Sequence, residues 1–120
     1  LARERRIGEA FTYLTGEELK DCMSGATFHC KTVYGDPLTI DLAPDGSMSG
    51  RAGFPIEDVD QGRWWLEEDL WCRQWLQWSY GQVLRFRIVL EGEQIHWVSL
   101  DGRLIDSGRI TRQTGSIERH

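Results

Sequence analysis

The side chains in this sequence best suited to binding chemistry are tryptophans and arginines, and five of the six tryptophans lie within residues 62–80. If residues 70–77 form a strand, Trp71, Arg73 and Trp75 share one of its faces, because side chains alternate across a strand. A face that exposes two tryptophans reduces solubility unless something covers it. The spacing therefore indicates either a site for a ligand, protein partner or second protomer, or tryptophans that pack in the core and pair across strands.

Two arginines of the next predicted strand, Arg85 and Arg87, could lie beside Trp75 on the same sheet face as Arg73. Arginine stacks favourably on tryptophan, and it binds a carboxylate or a phosphate through two parallel hydrogen bonds. The same arginines could instead form a solvated face, with neighbouring glutamates as ion-pair partners. The ligand- or partner-binding set predicted from this pattern consists of Trp65, Trp71, Arg73, Trp75, Arg85, Arg87, His96 and Trp97.

Support for catalysis is limited to two strand histidines, His29 and His96, which could meet across the sheet near acidic side chains. The sequence contains no GxSxG, HExxH or cysteine–histidine signature, and its acidic clusters lack the spacing of an EF-hand. The three cysteines, Cys22, Cys30 and Cys72, form no CxxC pair, so we expect no metal and no cofactor. One disulfide with a leftover thiol and three buried thiols are equally open interpretations.

The composition restricts the class of partner. A net charge of −5 argues against general nucleic-acid binding, which needs a basic surface to neutralise phosphates. No apolar run approaches the ~20 residues that cross a bilayer. The opening residues, LARERR, are not followed by the apolar stretch of a signal peptide, and the presence of a signal peptide or domain upstream of Leu1 is left open.

We expect one domain at residues 14–113, with an N-terminal arm at 1–13 and a C-terminal tail at 114–120.

A short helix is predicted for residues 16–24. Thr15 and Glu18 have the spacing of a capping box, in which each side chain accepts a hydrogen bond from the backbone amide of the other residue. Gly25 can end the helix in the left-handed conformation. We expect this helix to pack on a sheet as a plug or lid.

From residue 26 onward the apolar period is two, and turn signals such as PDG at 44–46 and DG at 101–102 recur at short intervals. Seven or eight short antiparallel strands after one helix favour a closed up-and-down barrel of lipocalin-like form, or a strongly curled sheet. Closure removes the exposed edges of a sheet, and a two-sheet sandwich is the second choice. The predicted strand segments are residues 27–34, 38–42, 48–52, 62–67, 70–77, 83–90, 94–100, and 103–105 with 108–111, the last two counting as one strand in a total of eight.

Two short motifs, D-x-G-x-W and L-W-C-x-x-W, occur in order around the tryptophan-rich segment: Asp60, Gly62, Trp64, Leu70, Cys72 and Trp75. This order resembles a family of small exported proteobacterial proteins, grouped as a domain of unknown function, whose core pairs D-x-G-x-W with L-C-x-x-W. The resemblance extends over about residues 14–110. It implies a periplasmic, β-rich domain and no catalytic residues. Where that pattern has a second cysteine on the next strand, this chain has Phe86, so Cys72 would have only Cys30 or Cys22 as a disulfide partner.

These observations predict a non-catalytic binding or interaction module in the periplasm or otherwise exported, with a cytoplasmic location left open. It would hold a small apolar or anionic ligand in an aromatic-rich pocket, or form a homodimer or bind a protein through an aromatic-rich face. The alternative is a small enzyme that uses His29 or His96 with nearby acids.

Overall fold

Eight antiparallel strands close into a barrel within residues 12–112, the part of the chain that this computed structural model describes. Each strand pairs with the next, and the last pairs with the first. The predicted barrel is therefore confirmed, and the sheet is neither open nor split into a sandwich. The elements are α1 (Gly16–Met23), β1 (Ala26–Lys31), β2 (Pro37–Leu42), β3 (Ser47–Ala52), β4 (Asp58–Glu67), β5 (Leu70–Trp75), β6 (Leu84–Glu91), β7 (Gln94–Val98) and β8 (Leu104–Arg112).

Some strand boundaries differ from the prediction for local reasons. Residues 58–61, whose acidic and amide side chains indicated a loop, pair with β3 and belong to β4. Residues 33–34 form an exposed turn instead of the end of a strand. β8 continues without a break through Gly108, where a Cβ atom would lie 2.7 Å from Cys30 Sγ. The missing side chain at Gly108 lets β1 and β8 approach each other.

Large apolar side chains from all eight described strands fill the barrel. At the centre, the Phe28 ring lies edge-on to two tryptophans, with its centroid 5.6 Å from Trp71 and 4.9 Å from Trp97. Aromatic pairs of this geometry contribute about 0.5–1.5 kcal/mol each beyond the burial of area. Phe28 and Trp71 are fully buried, as are Ile88 and Ile95. The middle of the barrel is therefore a packed core.

Helix α1 covers one end of the barrel. The predicted capping box is present, since Thr15 N–H donates to Glu18 Oε1 at 2.9 Å and Glu18 N–H donates to Thr15 Oγ1 at 3.4 Å. The Gly16 N–H donates to Asp69 Oδ1, in the β4–β5 turn, at 2.7 Å. Leu19 and Met23 of the helix are fully buried against the core. The predicted plug therefore closes this end of the barrel.

The D-x-G-x-W residues stabilise the β4–β5 region. Asp60 is 7% exposed, and its carboxylate accepts hydrogen bonds at 2.8–2.9 Å from the backbone amides of Gln61, Gln77 and Trp78. A Cβ atom at Gly62 would collide with the Gln74 carbonyl. Trp64 Nε1 donates to the Ala43 carbonyl at 2.9 Å. Each motif residue thus has a structural role.

β5 and β6 share a short seam. Trp71–Arg73 pair with Leu84–Phe86, and past Arg73 the chain leaves the β6 edge. A turn at Trp78–Gly81, in which Ser79 and Tyr80 have positive φ values of 57° and 55°, lies between the two strands. Gln74 Nε2 donates to the Gly81 carbonyl at 3.0 Å. Few backbone hydrogen bonds therefore join β5 to β6 beside Arg73.

We expect Asp60→Asn to destabilise the fold by roughly 1.5–3 kcal/mol, because hydrogen bonds to a charged group are lost or weakened. Burial alone raises the pKa of Asp60, but the amides of Trp78, Gln77 and Gln61 outweigh it and place the pKa below its ordinary value. The folded-state pKa lies below the unfolded one. The contribution of Asp60 is therefore complete above about pH 4 and is lost as the pH falls through the folded pKa.

Urea unfolding between pH 7 and pH 2.5 measures this difference. The gap between the wild type and Asp60→Asn should be constant above about pH 4 and shrink below it. Asp21→Asn, at an exposed position of α1, is the control and should stay close to the wild type. A gap that is the same at all pH values would contradict the assigned role of the carboxylate.

Candidate functional site

The end of the barrel opposite α1 is formed by four loops, which connect β1 to β2, β3 to β4, β5 to β6 and β7 to β8. Because neighbouring strands are antiparallel, these alternate connections all lie at the same end, which we call the open end. All the exposed large apolar side chains of the described residues lie on these loops or on the adjacent strand ends. This set, the apolar rim, consists of Val33, Tyr34, Phe54, Ile56, Val59, Leu76, Tyr80, Leu100, Leu104 and Ile105.

A pocket of about 120 Å³, the mouth pocket, lies at the open end. Its polar lining comes from Arg73, Asp106 and Cys30. Each lies in the part of its strand nearest the open end, where the packed core gives way to the loops. The apolar lining consists of Leu38, Ile40, Phe86, Trp97 and Ile105. The mouth pocket therefore combines an aromatic and aliphatic wall with one guanidinium, one carboxylate and one thiol.

The Arg73 guanidinium is the unusual group in this pocket. It follows Trp71 on the inward face of β5, and its Cζ atom lies 5.5 Å from the centroid of the Phe86 ring. Its Nε atom is buried and has no hydrogen-bond partner, and no carboxylate of residues 12–112 forms an ion pair with Arg73. Burial lowers the pKa of Arg73, and Asp106 partly opposes this effect. An arginine stays charged in proteins, so among residues 12–112 this cation has no carboxylate within ion-pair distance, and holding it unpaired is costly.

Cys30 is a poor nucleophile in this setting. Burial, the larger cause, and the Asp106 carboxylate together raise the pKa of its thiol to about 12, while the Arg73 guanidinium acts in the opposite direction. The thiolate is the reactive form, so Cys30 is protonated at neutral pH. All three cysteines are free thiols, and the disulfide considered from the sequence is not formed.

Three of the four tryptophans in the predicted binding set are buried. Trp71, Trp75 and Trp97 are 0%, 3% and 6% exposed. Of the two interpretations of the Trp71 and Trp75 face, packing in the core is therefore the correct one, and that face is not open to a partner. Barrel closure turns that face of β5 inward, where the volume of the two indoles is needed. Trp65 lies on the outer wall, where its Nε1 donates to Glu67 Oε2 at 2.9 Å and Arg63 Cζ lies 5.4 Å from its ring.

The three predicted arginines do not share a face. Arg85 is paired in register with Cys72, which is on the outward side of β5, whereas Arg73 points inward. Arg85 forms the ion pair with Glu67 that was one alternative from the sequence, at 2.8 Å. Arg87 stacks over Tyr13, with 5.5 Å between its Cζ atom and the ring centroid. The prediction of a joint arginine cluster is wrong, because the β5–β6 register separates its members.

The two histidines do not meet either, because β8 lies between β1 and β7. His29 Nε2 lies 3.0 Å from Thr111 Oγ1. His96, 8% exposed on the outward side of β7, has its Nδ1 atom 2.6 Å from Ser107 Oγ and its Nε2 atom 3.1 Å from Glu91 Oε1. Sequence reasoning missed Asp106 and Ser107, because the predicted break in β8 placed both in a loop.

Within residues 12–112, no group of three or more His, Cys, Asp or Glu side chains is arranged to hold a metal ion. No helix in that range has the length and apolar character needed to cross a membrane. Comparisons with models of known protein families, with curated protein sequences and with solved structures found no match. The resemblance of the two tryptophan motifs to a family therefore stays a prediction.

The thiol of Cys30 reports on the charges in the mouth pocket. With a pKa of about 12, the thiolate fraction of Cys30 at pH 8 is roughly a thousandfold below that of a free cysteine of pKa ~8.5. Because a thiolate of higher pKa is the better nucleophile, Cys30 should react with iodoacetamide roughly a hundredfold more slowly. Asp106→Asn should speed the reaction, because it removes a charge that raises the pKa, and Arg73→Met should slow it. Mass spectrometry of the Cys30 peptide over a pH series measures these rates.

Asp101→Asn, at the exposed tip of the same β7–β8 hairpin, is the matched control and should leave the Cys30 rate unchanged. Equal effects of Asp101→Asn and Asp106→Asn would contradict the placement of the three polar groups in one pocket.

Proposed function

We propose that this protein is a non-catalytic binding module whose mouth pocket takes the carboxylate of a small, largely apolar ligand. The observation that carries the proposal is the partly buried Arg73 guanidinium, whose Nε atom has no hydrogen-bond partner. A carboxylate supplies both the missing charge and two acceptors that match the planar guanidinium fork. Binding would therefore remove a cost that the unliganded pocket carries.

The charges around the pocket favour a monoanion. Arg73 contributes one positive charge, and Asp106 at the edge of the same pocket contributes one negative charge. A dianion such as a phosphate monoester would place its second charge near the Asp106 carboxylate, where repulsion opposes binding. A single carboxylate can face Arg73 and direct its apolar part away from Asp106.

The lining and the size of the pocket restrict the rest of the ligand. Phe86, Trp97 and Ile40 present apolar surface, which favours hydrocarbon or aromatic groups. The volume of about 120 Å³ is well below the ~300–1,000 Å³ of pockets that enclose drug-sized ligands. The pocket would therefore take a very small ligand, or one end of a longer one.

The architecture alone does not decide the function. Eight-stranded barrels are just wide enough either to be filled by side chains or to hold one small ligand, and the middle of this barrel is filled. A fold does not identify a ligand, so the side chains of the mouth pocket carry the proposal. The periplasmic location implied by the family resemblance stays a prediction on which this proposal does not depend.

Butanoate tests the proposal. We expect millimolar binding, detected by NMR as shifts of the Trp97 indole N–H, and Arg73→Met should weaken it by about 10–150-fold through loss of charged hydrogen bonds. Arg73→Lys keeps the positive charge but lacks the two parallel N–H donors of the guanidinium, so its affinity for butanoate should lie between those of the wild type and Arg73→Met. Butanamide, which is uncharged, should bind about as weakly to the wild type as butanoate does to Arg73→Met.

Arg63→Met is the matched control, since Arg63 lies over Trp65 on the outer wall. It should leave butanoate binding unchanged. Absence of butanoate binding in the wild type, or an equal loss in both arginine variants of a correctly folded protein, would refute the proposed function.

Ester hydrolysis at Ser107 is a second candidate, favoured by the contacts of His96 with Ser107 and Glu91. A base between a hydroxyl and an acid is the arrangement that activates a nucleophilic serine. Ser107 Oγ would attack the ester carbonyl while its proton passes to His96 Nδ1 and then to the leaving alcohol. Water would release the acid by the same route and restore Ser107.

The binding module is preferred over the hydrolase on geometric grounds. In serine hydrolases the backbone N–H of the nucleophile commonly helps to stabilise the oxyanion. The Ser107 N–H instead donates to Asp106 Oδ1 at 2.8 Å. Hydrolysis would therefore lack one of its usual stabilising groups.

The hydrolase candidate makes a simple prediction with p-nitrophenyl acetate. Release of p-nitrophenol above the buffer rate should disappear in Ser107→Ala and in His96→Ala, and it should persist in Ser49→Ala, an exposed serine of β3. Equal rates in the wild type and Ser107→Ala, measured by absorbance, would exclude this candidate.

A further inference from the structure

We infer that the ligand is a single-chain aliphatic carboxylate whose chain lies outside the barrel, on the part of the apolar rim next to the mouth pocket. This inference rests on the proposed function and adds the class of ligand and the path of its chain. The rim is otherwise unexplained, because it places ten exposed apolar side chains at one end of the barrel.

The interior of the barrel leaves no path for a chain that extends inward from the pocket. Phe28, Trp71 and Ile95 are fully buried in the core, and the Phe28 ring bridges Trp71 and Trp97 at centroid distances of 5.6 and 4.9 Å. Close-packed interiors of this kind have few voids larger than a water molecule. With its carboxylate on Arg73, a longer ligand must therefore direct its chain toward the loops.

One side of the rim is continuous with the pocket. Ile105 lines the mouth pocket and is also 50% exposed, so the same side chain belongs to the pocket and to the rim. Leu104 and Leu100, 40% and 54% exposed, lie in the same β7–β8 segment. Because β8 pairs with β1, the β1–β2 turn with its exposed Val33 is the neighbouring rim element.

The opposite side of the rim has no such connection. Ile56 in the β3–β4 loop is 85% exposed, but no residue of β3 or β4 lines the mouth pocket. Ile56 and Ile105 are thus the same residue type on the same rim, one away from the pocket and one inside it. They form a matched pair for a test.

Straight-chain carboxylates from butanoate to decanoate, measured by calorimetry below their micelle-forming concentrations, test the inference. A chain half-buried on the rim should increase the affinity by about twofold per methylene, against about fourfold for full burial. Ile105→Ser should flatten this dependence on chain length, and Ile56→Ser should leave it unchanged. Retention of the dependence in a folded Ile105→Ser variant would overturn the inference.

The remaining outcomes separate this inference from the proposed function. Arg73-dependent binding of butanoate with no gain for longer chains would overturn the chain path and leave the proposed function intact. Absence of binding by every carboxylate in the series would refute both the chain path and the proposed function. An equal loss of the chain-length effect in both isoleucine variants would overturn the chain path, because it would indicate that the whole rim acts as one surface, toward a bilayer or a second copy. Phosphatidylcholine vesicle flotation and sizing of the wild type distinguish those two occupants.

Discussion

Pairing between β8 and β1 is the constraint on which the rest of this structure depends. Once the sheet is closed, each strand position faces either the interior or the outside of the barrel, and a shift of one residue would exchange the two sets. On β5 the positions that bury Trp71 and Trp75 also carry Arg73 inside. A register shift that moved Arg73 to the outer face of β5 would also turn the two indoles outward, so the core keeps Arg73 on the inner face.

The two ends of the barrel differ in what they contribute to the core. At one end, α1 contributes Leu19 and Met23 to the core and ties its first turn to Asp69. At the other, the loops contribute exposed apolar side chains around a polar pocket. Loops that give little to the core can carry binding groups at small cost in stability, which is the usual relation between a scaffold and its site.

The fold was predictable because its signals are local. Alternating side chains, tight turns and the capping box at Thr15 each specify their element without knowledge of the rest. Which face of β5 is buried was not predictable, because Trp71 and Trp75 on one face and Leu70 and Cys72 on the other are both apolar enough to lie in the core. Arg85 was misplaced beside Arg73 because strand register depends on the partner strand. The apolar rim required the positions of four separate loops, which no single segment encodes.

If the mouth pocket binds a carboxylate as proposed, the short β5–β6 pairing affects how long the ligand stays bound. Segments with few hydrogen bonds open at a lower free energy than the whole molecule unfolds, and this seam ends at Arg73, opposite Leu84. Transient separation of the two strands would loosen the wall of the pocket while the closed β1–β8 side and α1 stayed intact. The rate at which a bound carboxylate dissociates would then depend on the local opening of a few residues as well as on the strength of the contacts that hold the ligand.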